Sequence, residues 1–186
     1  MNAPQTYQGL KLAWKNNGQS LVNQYIHKQT HCIPNLLPED AVLIPTQGVL
    51  YILEQRFGAM AVRQAIDPEY VVDSPARQYT NTAWMKQTNM VGINVRTVQS
   101  FWNVVKYMLT IPQSIDSVHL LPIWEPGVVA SLYGITSWNI NTEFFSNELY
   151  RAIPKLDTVE KQLKVVVNLL HLMGKKVGME IGRAHV

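Results

Sequence analysis

The segment from Ser117 to Ile181 constrains the chain most, because it reads strand, loop, helix, strand. Val118-His119-Leu120-Leu121-Pro122-Ile123-Trp124 is a nearly continuous apolar run, the pattern of a strand covered on both faces. A long loop is expected from Glu125 to Lys155. Asp157 with Glu160 three residues later has the spacing of a capping box. Val159, Leu163, Val166, Val167, Leu170 and Met173 then recur at helical spacing, so they share one face. Gly174 offers a left-handed stop, with Lys175 and Lys176 at the negative end of the helix dipole, and Val177-Gly178-Met179 opens another strand. A strand, a crossover helix and a second strand form the unit of a parallel sheet.

The preceding residues extend this pattern. Met90 to Val98 is β-branched and apolar and is expected to be a strand. Ser100 is placed to cap a helix carrying Phe101, Val104, Val105 and Met108 on one face, ended by Pro112. The chain from residue 88 onward therefore reads as three parallel strands with two crossover helices. That local pattern fits a barrel or a doubly wound sheet equally.

Further upstream, Thr6 to Lys28 is expected to be helical, with Asn16-Asn17-Gly18 a candidate break. Thr46 is a candidate cap for a helix reaching Ile66 before Pro68, and residues 67–87 read as irregular connection.

Composition excludes several function classes. A net charge of +3, with scattered Lys and Arg, argues against a nucleic-acid partner. Charged residues are 16%, below the roughly 25% of average domains, so the surface is expected to meet a partner or more chain. Cys32 is the single cysteine, which excludes an internal disulfide and suits a reducing compartment. Residues 1–6 lack the apolar core of a signal peptide, and no run approaches the ~20 apolar residues of a membrane span. The expectation is a cytoplasmic protein with no membrane partner and no cofactor. His27 and His31 beside Cys32 lack a fourth ligand or a paired cysteine, so no metal site is assigned. Gly174-Lys175-Lys176 ends a helix rather than opening one and is no phosphate loop.

Four pieces in order carry a family resemblance: Leu121 to Pro126, Leu132 to Asn141, Leu156 to Glu160 and Gly174 to Met179. Together they resemble the second and third barrel strands, and the loop between them, of the alpha-amylase superfamily of glycoside hydrolases. Val95 to Val98 resembles the end of the first barrel strand. Ser137 and Glu180 depart from the pattern, since the family usually has Asp at both places. The resemblance spans residues 88–181 and implies the N-terminal portion of a (β/α)8 TIM barrel, an α/β fold, preceded over residues 1–87 by a mainly helical extension.

It also implies hydrolysis or transfer at α-glucosidic bonds through a covalent glycosyl-enzyme intermediate, with an α-glucan or maltooligosaccharide as substrate. In such a barrel the site lies at the carboxyl ends of the strands. Tyr133 corresponds to a loop tyrosine that stacks on the sugar, a sound pairing because sugar C–H faces pack on aromatic faces. Trp124 and Trp138 are candidates for the same task, or for packing beneath the loop. Arg96 is a candidate to steer a carboxylate or to hold a neighbouring loop.

Retaining glycosidases need two carboxyl groups about 5–5.5 Å apart. The resemblance puts those on the fourth and fifth barrel strands, with a further Asp on the seventh, so no catalytic residue is assigned here. Glu125 is expected to form hydrogen bonds at a loop end. The alternative reading is a non-catalytic α/β binding or scaffold module complete at this length. The ending Ile181-Gly182-Arg183-Ala184-His185-Val186 can be encoded by a string identical to a common sequencing adapter. Residues 182–186 are therefore expected to be a non-native tail, and Glu180 to be an Asp codon completed by adapter bases.

Overall fold

Three strands lie parallel in the order β1-β2-β5: β1 is Met90–Ile93, β2 is Ser117–Leu120 and β5 is Lys176–Met179. They come from a computed structural model that describes residues 7–184. The register aligns Val91 with Val118 and Val177, and Ile93 with Leu120 and Met179. Side chains on adjacent residues alternate between faces, so these two rows form the apolar face of the sheet. The crossovers run through α6 (Phe101–Met108) and α8 (Val159–Leu172), which pack against each other and so lie on the same side. The other face carries the row Gly92, His119, Gly178.

Side-chain caps open both crossover helices. Ser100 accepts a hydrogen bond from Asn103 N, as expected for α6. At α8 the cap is Thr158, whose hydroxyl accepts from Lys161 N at 3.3 Å. Asp157 instead pairs with Lys161 at 2.7 Å, so the expected capping box does not form. Leu163, Val166 and Leu170 are buried as expected, while Val167 is half-buried. Gln162, Val165, Asn168 and Leu169 are buried too, because α4 (Ala59–Ala65) covers a second side of α8. The two polar groups among them are satisfied. Gln162 bonds Ser146 N, Ser146 O and Leu156 O, and Asn168 bonds Val72 N, Ala65 O and Tyr70 O.

The N-terminal helices are α1 (Tyr7–Ile26), α2 (Pro38–Ala41), α3 (Thr46–Phe57) and α4. Helix α1 runs unbroken through Asn16-Asn17-Gly18, with Trp14 packed over Gly18. The helix expected from Thr46 to Ile66 is divided at Gly58, whose φ of 96° lies where side chains are strained. Pro45 occupies the cap position, and Thr46 inside the helix gives both its N–H and its hydroxyl to Glu148. Residues 67–87 hold two short 3-10 turns, Pro75–Gln78 and Thr82–Gln87. Leu21, Val49, Leu53 and Val62 belong to the same buried cluster as Phe101, Val118 and Leu170. Burying each such Leu or Val contributes about 1.5–3 kcal/mol relative to exposure.

Several strand limits differ from expectation. β1 stops at Ile93 because the Asn94 side chain accepts from Arg96 N at 3.0 Å and caps a short helix, α5 (Val95–Val98). β2 stops at Leu120, two residues before Pro122, which has no N–H for a ladder. The long loop is itself structured. Trp124–Pro126 (β3) pairs antiparallel with Gly134–Ile140 (β4), followed by a 3-10 turn at Thr142–Phe144 and α7 (Asn147–Ala152). Residues 183–184 (β6) pair parallel with β4. Thr6, residues 1–5, and residues 185–186 of the expected tail lie outside the described residues.

Lys175 and Lys176 do not simply face the helix end. Lys175 is buried and donates to Pro112 O and Ile115 O, and Lys176 pairs with Asp116 at 2.6 Å. Among the described residues no helix is long and apolar enough to cross a membrane.

Candidate functional site

The carboxyl ends of the three parallel strands converge on one patch of polar and aromatic side chains. From β1 comes the Asn94 cap and, two residues on, Arg96. Its guanidinium pairs with Glu143 at 2.7 Å and donates to Ala130 O at 2.8 Å. Both partners lie in the segment after β2, so Arg96 holds the hairpin tip to the end of β1. Ala130 has a positive φ of 54°, a conformation that a fixed carbonyl contact helps to retain.

From β2 the chain passes through buried Pro122 and Ile123 into the hairpin. Asn141 N donates to Ile123 O at 2.9 Å and Gly127 N to Gly134 O at 2.7 Å, which close the hairpin at both ends. Trp124 is half-buried and meets Trp138 edge to face, with ring centroids 5.6 Å apart. Such pairs contribute about 0.5–1.5 kcal/mol beyond area burial. Trp138 remains 61% exposed and Tyr133 45% exposed. The Glu125 carboxylate accepts from the Ser137 hydroxyl and from Asn139 Nδ2, so it braces the two hairpin strands.

From β5 comes Glu180. Its Oε2 accepts from the Tyr133 hydroxyl at 3.3 Å and lies 3.4 Å from His119 Nε2. Desolvation, and then the negative charge of Glu180, hold the Tyr133 phenol above its ordinary pKa. His119 has room for this because its neighbours in register are Gly92 and Gly178; a Cβ at Gly178 would stand 3.4 Å from His119 Nδ1. The arrangement places a half-exposed phenol, a carboxylate and an imidazole together, on a strand end that also carries the hairpin with its exposed Trp138 indole. Chemically it offers a flat apolar face with hydrogen-bonding groups at its edge.

The four candidates fall into two groups. Trp124, Tyr133 and Trp138 are carried by the hairpin and the turn within it, while Arg96 stands at the base of its tip, engaged with Glu143. The linkage of His119 to Glu180 and Tyr133 was not singled out from sequence. A signal was present: His119 stands mid-strand, and glycines lie at the matching positions of both neighbouring strands. His171, by contrast, is engaged away from this patch, with Nδ1 2.9 Å from Val72 O. Comparison with protein-family models, curated proteins and solved structures finds no match.

Proposed function

We propose that this chain binds α-glucans at the carboxyl end of its parallel sheet, as the N-terminal strands of an alpha-amylase-like (β/α)8 barrel. The observation that carries the reading is the hydrogen bond from half-exposed Tyr133 to the Glu180 carboxylate at a strand end. Aromatic faces beside carboxylates suit a sugar ring, whose C–H face stacks while its hydroxyls donate hydrogen bonds. Two further features support the barrel portion. Both crossover helices lie on one face of the sheet. The opposite face bears only glycines beside His119 in its middle row, which leaves space on the side that a barrel turns inward.

In this reading Tyr133 and Trp138 offer aromatic faces to the glucan. Glu180 orients the Tyr133 hydroxyl, Trp124 holds the Trp138 ring by its edge contact, and Arg96 keeps the hairpin tip in place. The catalytic pair belongs to the fourth and fifth strands of the family, so these residues bind the glucan and do not cleave it. The parent activity is hydrolysis or transglycosylation at α-glucosidic bonds.

The test is a titration with maltoheptaose followed by tryptophan fluorescence. Saturable quenching is expected, with no release of reducing sugar. Tyr133→Ala and Trp138→Ala are each expected to weaken binding at least tenfold, a loss of about 1.4 kcal/mol. Tyr133 is exposed, so the thermal midpoint of Tyr133→Ala is expected to stay near that of the unaltered chain, while Trp138→Ala also loses the edge contact with Trp124. Unchanged affinity in both variants would refute the reading.

A further inference from the structure

A second site of different chemistry lies at the amino ends of the same strands. Lys175 immediately precedes β5, and Gln113 lies shortly before β2. Both line a cavity of about 60 Å3 together with Tyr25, His31, Arg56 and Met108. About 10–15 Å3 of such volume holds one water, so the space takes a group of roughly four to six heavy atoms. That is the size of one tetrahedral oxyanion.

The charges around this cavity are unbalanced. No Asp or Glu is among its described lining residues. Arg56 donates through Nη1 to Tyr25 O and Thr30 O and stacks on the Tyr25 ring at 4.5 Å, but among the described residues it has no carboxylate partner. Lys175 is 4% exposed, and its Nζ is held by Pro112 O at 3.1 Å and Ile115 O at 2.5 Å. Carbonyl groups orient a cation without neutralising it, and buried charges are ordinarily paired. Asp116 is the carboxylate whose field reaches Lys175, and it is already bonded to Lys176. Burial pushes the Lys175 ammonium below its ordinary pKa, the direction expected where counter-charge is short. Next to His31, the hydroxyl of Thr30 is buried with no partner.

We propose that this cavity binds a phosphate or phosphoryl group, with Arg56 and Lys175 as its charge partners and Gln113 and His31 at its mouth. The planar guanidinium suits a tetrahedral oxyanion, and Lys175 adds a point charge already fixed by the backbone. The site is independent of the glucan reading, since it lies at the other end of the strands. Its occupant would tie the loop before β2 to the chain entering β5 and to α1 and α3.

The experiment is calorimetric titration of the purified chain with inorganic phosphate, replacing chloride at constant ionic strength. Saturable one-site binding is expected, together with a phosphate-dependent rise in the thermal midpoint. Lys175→Gln is expected to weaken binding at least tenfold. Gln113 is exposed, so Gln113→Glu leaves the fold intact in chloride and is expected to weaken phosphate binding at least tenfold by repulsion. Glycerol 2-phosphate distinguishes the sources. Binding as tight as that of inorganic phosphate assigns the site to a phosphoryl group on a larger molecule, and binding of inorganic phosphate alone assigns it to the free ion. Absence of a phosphate-specific signal, or wild-type affinity in Gln113→Glu, would overturn the proposal. Maltoheptaose binding is expected to be unaffected by either variant, which separates this result from the test of the glucan site.

Discussion

Leu120, the last residue of β2, is fully buried, whereas Trp138, in the hairpin that follows, is 61% exposed. The two regions adjoin in the chain and in space but answer to different forces. The parallel sheet is held by apolar rows under α6 and α8; the Asn94 cap ends β1, and β2 ends two residues before Pro122. The hairpin has little core. Of β4 only Ile135 is buried, and the hairpin is held in part by polar links from Glu125, Asn141 and Arg96. A region held by burial tolerates little change in volume, while one held by exposed polar links is cheap to alter and free to carry recognition.

That contrast predicts a gradient of mutational cost. The largest effect is expected in the framework. Leu170 is fully buried, so Leu170→Ala is expected to lower stability by about 2–5 kcal/mol through lost transfer energy and a cavity. Urea denaturation measures it. A loss below about 1 kcal/mol would mean that the helix face collapses onto the gap, and the packing account would fail.

A smaller, pH-dependent effect is expected at the amino end of the sheet. Burial acts to raise the Asp116 pKa, but hydrogen bonds from Lys176, Thr88 and Ser117 outweigh it and bring the value down to about 2. The folded-state pKa is thus below the unfolded one, and the folded state binds fewer protons between the two values. The stabilisation is therefore present above the model-peptide value of 3.8 and is lost as pH falls towards about 2. Urea midpoints measured at pH 6, about 4 and about 2.5 are expected to fall less steeply in Asp116→Asn than in the unaltered chain. Parallel profiles would remove Asp116 from the account.

The legibility of the two regions follows the same division. Helix α8 was readable because Leu163, Val166 and Leu170 repeat at helical spacing, which survives an error of one residue in the cap, Thr158 instead of Asp157. The three parallel strands and their crossovers were readable for the same reason. The hairpin was not, because Thr136, Ser137, Trp138 and Asn139 offer no apolar alternation, and pairing of Trp124 with Ile140 is a long-range fact. The limits of β1 were missed because Val95 to Val98 favours a strand on composition, while the Asn94 side chain offers the backbone a helical turn instead. Of the candidate site, Arg96, Trp124, Tyr133 and Trp138 are the residues that the sequence singles out as candidates. Joining Tyr133 to His119 and Glu180 needed the register that sets His119 between glycines.

The smallest stability effect is expected where the two regions meet. The Arg96 and Glu143 side chains are 37% and 40% exposed, so Arg96→Ala is expected to cost only about 0.2–1 kcal/mol. Its signature is local instead. Amide exchange at Ala130 and Gly134 is expected to accelerate severalfold, because the hairpin tip loses its tie to the end of β1, while exchange in β2 is unchanged. Equal acceleration in both regions would show that the hairpin and the sheet do not open separately.

The central claim, that the hairpin and the strand ends form one glucan-binding face, is tested most directly by amide chemical shifts during titration with maltoheptaose. The expected result is a contiguous set of saturating shifts over residues 124–141 and at Glu180 and His119, with the indole of Trp138 among the largest. Residues of α1, α3 and α4 are expected to stay unshifted. Shifts centred on those helices, or none at concentrations that saturate a millimolar site, would contradict it.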